Sequence, residues 1–190
     1  MTMRVVPLLL LALVSGSLQG CVPAVAVGVG AGVMIAQDRR TTEAYIDDQK
    51  IESKAAQLID EQISSVMHVN VTSFNYRVLI SGEVPDDDTK AEIEKIVSGI
   101  EKVRDVADEL AVSPISSLAS RSNDGLITSN VKLRLMNNEH FNADHIKVVT
   151  ENGTVYLMGL VKHAEADTST EITSTTQGVQ RVIRMFEYLD

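Results

Sequence analysis

Two fourteen-residue segments, 77 positions apart, share one pattern of valine, asparagine and glycine and align without a gap. In the second copy, residues 148–161, two runs rich in β-branched side chains flank Asn152 and Gly153. This pair accepts the positive φ angles of a type I′ turn. In the first copy, residues 71–84, Asn75 aligns with Asn152. Each copy predicts a β-hairpin, so the chain is predicted to contain one supersecondary unit twice.

The repeat also predicts the domain organisation. The chain has 190 residues, which is enough for two small domains. We predict a first module at residues 46–112, a serine-rich linker at 113–122 and a second module at 123–190. In each module the pattern of apolar residues predicts the order α-β-β-α-β, and thus an α+β fold. Gly82 and Gly159 occupy the same position in the two hairpins and are predicted to be structural glycines.

The helices of the first module are predicted from apolar side chains at spacings of three and four. Ile51, Ala55 and Ile59 form such a stripe in the opening helix. Three acidic residues at 86–88 precede the second helix and suggest either a helix cap or a divalent cation site. They lack the loop glycine and the distal glutamate of an EF-hand, so we predict a cap. A closing strand is predicted at 103–112.

The second module repeats this order with a weaker second helix. Asn123 and Asp124 are predicted to cap its opening helix. The second helix, at residues 164–177, is rich in threonine and serine, and the closing strand is predicted at 179–189. The side chains predicted to be buried by the opening helix are Ile127, Val131 and Leu135.

Apolar side chains also occupy the opposite face of this opening helix. At about 100° per residue, Leu126, Leu133 and Met136 lie within about 80° of one another and roughly 150° from the buried stripe. Two interpretations are open. The linker, the other module or the segment after Cys21 covers these side chains, or they contact lipid or another protein. The matching positions of the first module are Lys50, Gln57 and Asp60.

The two predicted modules differ in net charge. The formal net charge is −9, which argues against nucleic acid as a partner because phosphate binding depends on Lys and Arg. Residues 47–113 hold seven basic and fifteen acidic residues, a balance of −8. Residues 120–190 hold seven and nine, a balance of −2. Only the second module is therefore expected to approach an anionic partner without strong repulsion.

The N-terminus carries an apolar run followed by the single cysteine of the chain, Cys21. Its apolar run is too short to cross a bilayer of about 30 Å, so residues 1–20 are predicted to be a signal peptide. The order Leu-Gln-Gly-Cys at residues 18–21 resembles the lipobox, in which the cysteine is acylated. The alternative is an ordinary signal peptide followed by a free thiol. We predict that Cys21 is acylated and that a flexible tether extends to residue 45.

No pattern in the sequence indicates an enzyme. The four histidines are scattered, and neither a glycine-rich phosphate loop nor a nucleophile elbow occurs. His140 and His145 lie five positions apart but lack further ligands at a spacing suited to a metal. We therefore predict no catalytic residues, no metal site and no cofactor.

Two short motifs occur once in each module. An apolar strand that ends in Gly-x-Val occupies residues 80–84 and 157–161. A glycine followed by an aliphatic residue, two variable residues and valine occupies 99–103 and 178–182. Together with the lipobox, these motifs make the chain resemble the dual-BON-domain outer-membrane lipoproteins of Gram-negative bacteria, which are associated with division and outer-membrane stress. The resemblance implies tandem BON domains, each with a three-stranded mixed sheet packed against two helices.

The resemblance also implies a function. Such a protein faces the periplasm, supports envelope integrity and gathers at division sites, where an envelope or division protein is an expected partner. Its second BON domain binds anionic phospholipid through the opening helix. A rival interpretation is a scaffold for a protein or for peptidoglycan, with membrane contact only through Cys21. The predicted phospholipid-binding residues are Leu126, Asn130, Lys132, Leu133, Arg134 and Met136.

Overall fold

The computed structural model describes residues 38–190. The predicted signal peptide, the lipobox, Cys21 and the segment that follows it to residue 37 lie outside the described residues. No helix among the described residues is long and apolar enough to cross a membrane.

The first module has the predicted order α-β-β-α-β. Helix α1 is followed by a hairpin, a second helix and a closing strand. Asp86 caps α2 as predicted, because its carboxylate accepts a hydrogen bond of 2.7 Å from the backbone N–H of Thr89. The bounds are α1 Thr42–Gln62, β1 His68–Phe74, β2 Arg77–Val84, α2 Asp87–Ser98 and β3 Asp105–Val112.

The second module repeats the order, with one 3₁₀ turn added before its first strand. Its second helix is shorter than predicted, because it ends at Ser174. The strand predicted to start at residue 179 begins at Arg181. The bounds are α3 Leu118–Met136, the 3₁₀ turn Ala143–His145, β4 Ile146–Glu151, β5 Thr154–Val161, α4 His163–Ser174 and β6 Arg181–Tyr188.

Each module contains a three-stranded mixed sheet with its second strand in the centre. Strand β2 pairs antiparallel with β1 and parallel with β3, and β5 pairs in the same way with β4 and β6. The helix between the second and third strands provides the crossover that a parallel pair requires. The α+β class and the mixed sheets expected from the sequence are confirmed.

Both predicted hairpin turns are confirmed by their backbone angles. The φ angles are 52° and 68° at Asn75 and Tyr76, and 46° and 71° at Asn152 and Gly153. Positive φ at both central residues is the requirement of a type I′ turn, which matches the twist of the flanking strands. The two turns therefore set the register of the two hairpins in the same way.

The opening helices begin earlier than the sequence predicts. Helix α1 starts at Thr42 behind the cap Thr41, so the predicted tether to residue 45 is too long. Helix α3 starts at Leu118 behind the cap Ser117, so its first five residues lie in the predicted linker. Asp124 is not a cap. Its carboxylate instead accepts hydrogen bonds from the backbone N–H groups of the second hairpin turn, at 2.9 Å each.

The two sheets pack face to face between outer layers of helices. One core lies between the helices and the sheet of the first module, and a second core lies in the same place in the second module. A third core joins the modules. The central strands β2 and β5 are therefore covered on both faces, which explains why nearly all their residues are buried. The buried members of the third core are Phe74, Leu79, Tyr156, Met158 and Met185.

Candidate functional site

The outward side of α3 carries a row of exposed apolar side chains. Leu126 is 65 % exposed, Leu133 56 % and Met136 67 %, and Leu118 at the start of the helix is 76 % exposed. At about 100° per residue, these four side chains lie within roughly 80° of one another, and we call them the α3 face. The inward side of the helix carries the predicted stripe Ile127, Val131 and Leu135, which is buried.

The exposure of the α3 face answers one question that the sequence leaves open. Among residues 38–190, neither the linker nor the first module covers Leu126, Leu133 or Met136. The hairpin covers only the inward side of the helix, because α3 packs on β4. The segment after Cys21 lies outside the described residues. An apolar row that is exposed within the described residues is typical of a contact site for a membrane or another molecule.

The matching helix of the first module has the opposite character. Lys50, Gln57 and Asp60, the counterparts of Leu126, Leu133 and Met136, are exposed and polar. Helix α1 carries six acidic and two basic residues, whereas α3 carries three basic residues and one acidic residue, Asp124. Asp124 is buried against the hairpin turn and adds no negative charge to the outward side. The α3 face is therefore the surface of the pair that suits an anionic partner.

Of the predicted polar contacts, Arg134 has a structural role as well. Its guanidinium donates to the carbonyl of Ile172 at 2.8 Å and to the hydroxyls of Thr175 and Thr176 at 3.0 and 2.7 Å. These groups form the C-terminal end of α4, where the helix dipole favours a cation. No sequence pattern indicates this contact. It occupies some of the N–H donors of Arg134 that were predicted to bind phospholipid headgroups. Lys132 and Asn130 are exposed beside the α3 face.

The start of the described chain is bound to both modules. Arg39 forms two hydrogen bonds of 2.6 and 2.8 Å with the carboxylate of Glu165 in the second module. The next residue, Arg40, binds Asp48 of the first module at 2.7 Å and lies 4.1 Å from the ring centroid of Phe74. Two consecutive arginines thus hold the segment that follows the predicted anchor against both modules.

This contact predicts a pH dependence of stability. The hydrogen bonds from Arg39 lower the pKa of Glu165 from 4.5 to about 2. A carboxyl group with a lowered pKa stabilises the fold above its ordinary pKa and loses that contribution as the pH falls toward the folded value. We therefore expect Glu165→Gln to lower the free energy of unfolding most above about pH 5, with the difference from the wild type shrinking between pH 4.5 and pH 2. Urea unfolding at several pH values measures this.

An exposed ion pair supplies the control for that measurement. Arg184 and Asp167 lie 2.8 Å apart, with side chains 43 % and 72 % exposed. Asp167→Asn is expected to change the free energy of unfolding by less than about 0.5 kcal/mol at any of these pH values. An equal effect of the two substitutions would contradict a specific contribution from the Arg39 contact.

A polar cluster lies at one end of the contact between the sheets. His68 and Glu83 are cross-strand neighbours in β1 and β2, and Glu151 ends β4 of the other module. Nδ1 of His68 is 3.1 Å from Oε2 of Glu83 and 3.8 Å from Oε1 of Glu151. Burial raises the pKa of Glu151, and the charge of Glu83 acts in the same direction. The cluster was not predicted from the sequence, because its members are scattered along the chain.

The chain is similar to known proteins over most of its length. The BON-domain family model matches residues 47–114 and 123–190. Outer membrane lipoprotein DolP of Haemophilus influenzae is 39 % identical over 193 residues, covering 99 % of this chain and 100 % of that protein. The 21 kDa hemolysin of Actinobacillus pleuropneumoniae is 29 % identical, covering 80 % of this chain and 79 % of that protein.

A third relative is similar over much of the chain. Osmotically-inducible protein Y of Escherichia coli is 28 % identical over 156 residues, covering 80 % of this chain and 78 % of that protein. The two family matches fall on the two α-β-β-α-β modules, which share the type I′ hairpin turn and a glycine in the second strand, Gly82 and Gly159. The chain belongs to the BON-domain family and contains two BON domains.

Proposed function

We propose that the protein is an outer-membrane lipoprotein that faces the periplasm and binds anionic phospholipid through its second BON domain. Cys21 carries the acyl anchor, and the α3 face supplies the contact with phospholipid. The bound protein supports envelope integrity, with division sites as its place of action. The name of the Haemophilus influenzae relative supports the location. One observation supports the lipid proposal above all: the apolar α3 face is exposed, and the charged side chains next to it on the helix are basic rather than acidic.

The mechanism combines apolar insertion with electrostatic attraction. An amphipathic helix at a bilayer surface buries its apolar side about 5–10 Å deep, at the boundary of headgroups and acyl chains. Each fully buried aliphatic side chain contributes roughly 1.5–3 kcal/mol before ordering costs are subtracted. Lys132 lies next to Leu133, and a lysine near an anionic surface adds about 1 kcal/mol. The acyl chains on Cys21 keep the protein at the membrane, so this contact needs only modest affinity.

Substitution of the α3 face is expected to weaken vesicle binding. For protein without its anchor, the chain should begin at Gln37, so that Arg39 and Arg40 keep their contacts. Leu126→Asp combined with Leu133→Asp is expected to weaken binding to anionic vesicles by about 10- to 100-fold, because two apolar side chains are replaced by charges that repel the surface. Sedimentation with vesicles of anionic and of zwitterionic lipid measures the effect.

Two exposed valines of the first module provide a matched control. Val66 is 83 % exposed and Val112 47 %, and both lie outside the α3 face. Val66→Asp combined with Val112→Asp makes the same chemical change at the same number of sites, so it is expected to leave vesicle binding close to the wild-type level. Equal binding by the wild type and the α3 double variant would rule out the α3 face.

A second function is favoured by a separate observation. Val66 and Val112 of the first module and Ile115 of the linker are exposed and, with Pro85, line an open apolar groove. Such a groove suits a protein segment, so the alternative is a scaffold that reaches the membrane only through Cys21. If unanchored protein ignores every vesicle but retains an envelope protein, and the valine double variant loses that protein, the scaffold function is favoured.

A further inference from the structure

The polar cluster between the sheets has the chemistry of a metal site. We propose that His68, Glu83 and Glu151 bind one divalent transition-metal ion, with zinc the best match, and that this ion links the two BON domains. His68 and Glu83 belong to the first domain and Glu151 to the second. The nitrogen and oxygen atoms that these three side chains offer all lie within 4.8 Å of one another.

The spacing of the three ligand atoms fits a tetrahedral ion. Zinc binds histidine nitrogen and carboxylate oxygen at about 2.0–2.2 Å, which places neighbouring ligand atoms of a tetrahedron about 3.4 Å apart. The distances from Nδ1 of His68 are 3.1 Å to Glu83 and 3.8 Å to Glu151, on either side of that value. Small side-chain rotations are enough to bring the three atoms around one ion, with water as the fourth ligand.

The charge of the cluster calls for a cation. Glu83 is 5 % exposed and Glu151 8 %, so two carboxylates are buried close together. Among the described residues, no lysine or arginine forms an ion pair with either, and His68 is the only basic group that does. Buried charges are normally paired or bind metals, because leaving them uncompensated is costly. A divalent ion neutralises both carboxylates at once.

Neighbouring side chains are placed to orient the ligands. The hydroxyl of Ser116 donates to Oε2 of Glu83 at 3.2 Å, and the hydroxyl of Ser81 donates to Oε2 of Glu151 at 3.4 Å. Ligands held by such outer hydrogen bonds bind metals more tightly. A combination of one imidazole and two carboxylates favours zinc or cobalt over magnesium and calcium, which prefer oxygen ligands alone.

Asn70 links the imidazole to the rest of the cluster. Its side-chain nitrogen lies 3.0 Å from Oε2 of Glu151 and 3.3 Å from Nε2 of His68. A metal on Nδ1 moves the ring proton of His68 to Nε2. The Asn70 amide then turns its oxygen to accept that proton, while the ion takes over its contact with Glu151. The outer hydrogen bond to the ring fixes the tautomer that binds the metal.

Metal titration of the full-length protein tests the proposal. Protein extracted in detergent and stripped with a chelator is titrated with zinc by calorimetry and with cobalt by visible absorbance. We expect one ion per chain and the absorbance of tetrahedral cobalt. Loss of an outer hydrogen bond weakens metal binding by about 10- to 100-fold, so loss of a ligand in His68→Gln is expected to weaken it at least as much. The matched control His140→Gln changes an exposed histidine outside the cluster and should bind as the wild type does.

Two further measurements keep the test decisive. Circular dichroism checks that His68→Gln is folded, and Glu151→Gln, which keeps the size of the side chain, provides a second variant from the other domain. Zinc is expected to raise the Tm of the wild type and of His140→Gln but not that of the two cluster variants. Absence of stoichiometric binding by the wild type, or equal binding by His68→Gln and His140→Gln, overturns the proposal.

Discussion

Replacing Asp48 with alanine is expected to lower the free energy of unfolding by about 3–5 kcal/mol, because the substitution leaves three hydrogen-bond donors without their acceptor and removes one of the two carboxylates that pair with the buried Arg40, the other being Asp38. The Asp48 side chain is fully buried. Its carboxylate accepts hydrogen bonds from Arg40 at 2.7 Å, from the hydroxyl of Ser73 at 2.6 Å, and from the backbone N–H groups of Asn75 and Tyr76 at 2.7 and 2.9 Å. One side chain thus joins the N-terminal segment, helix α1 and the first hairpin turn.

Two other aspartates give the scale for this measurement. Asp60 lies on the exposed side of the same helix, so Asp60→Ala is expected to change stability by less than about 0.5 kcal/mol in urea unfolding. Asp124 is the counterpart of Asp48 and, within residues 38–190, accepts hydrogen bonds from two backbone N–H groups of its turn. Asp124→Ala is therefore expected to lower the free energy of unfolding by an intermediate amount, about 2–3 kcal/mol. The same effect for Asp48→Ala and Asp60→Ala would contradict the role assigned to Asp48.

These aspartates also show which contacts a sequence pattern cannot specify. The Asn-Gly turn, the 77-residue offset and the stripe from Ile51 to Ile59 predicted the order of elements in both modules. Such features are local, since each depends on the chain within one turn or one helix. Asp124 was predicted to be a helix cap because aspartate favours that position. Its actual partner is a turn 28 residues away in sequence, which no local pattern specifies.

The packing of the two sheets was not predicted, although the sequence contains a signal for it. Val78, Leu79 and Ile80 are consecutive apolar residues, and residues 155–158 are also continuously apolar. An uninterrupted run indicates a strand buried on both faces, whereas a strand with one face in water alternates. The order α-β-β-α-β predicts one helical layer for each sheet and does not specify what covers the opposite face. Ser81 and Glu83 also lie on that face and are buried, so the apolar pattern of the sequence does not indicate that the face is covered.

The candidate site could be predicted only in part. Helical periodicity placed Leu126, Leu133 and Met136 on one side of α3 but left open whether they are covered, and in the described part of the chain they are exposed. It missed Leu118, because the helix was expected to begin at Asn123. Phospholipid binding by this face stays a prediction.

Replacing Gly82 with alanine is expected to lower the free energy of unfolding by about 3 kcal/mol or more, because both the backbone angle and the space exclude a side chain. The φ angle of Gly82 is +121°, and a Cβ there would lie 2.0 Å from the carbonyl oxygen of His68 on the paired strand. That oxygen belongs to backbone, so relief requires β1 to move away from β2. The movement would also separate His68 from Glu83, which face each other across these strands.

The glycine at position 125 provides the matched control for this substitution. Gly125 lies within α3, and a Cβ there would meet no atom within 4 Å. Alanine is favoured over glycine in a helix by about 1 kcal/mol, so Gly125→Ala is expected to stabilise the protein. Glycine to alanine should thus lower the free energy of unfolding at position 82 and raise it at position 125, as measured by urea unfolding followed by circular dichroism. If the free energy of unfolding of Gly82→Ala instead lies within about 1 kcal/mol of the wild-type value, the close approach of β1 and β2 at Gly82 is contradicted.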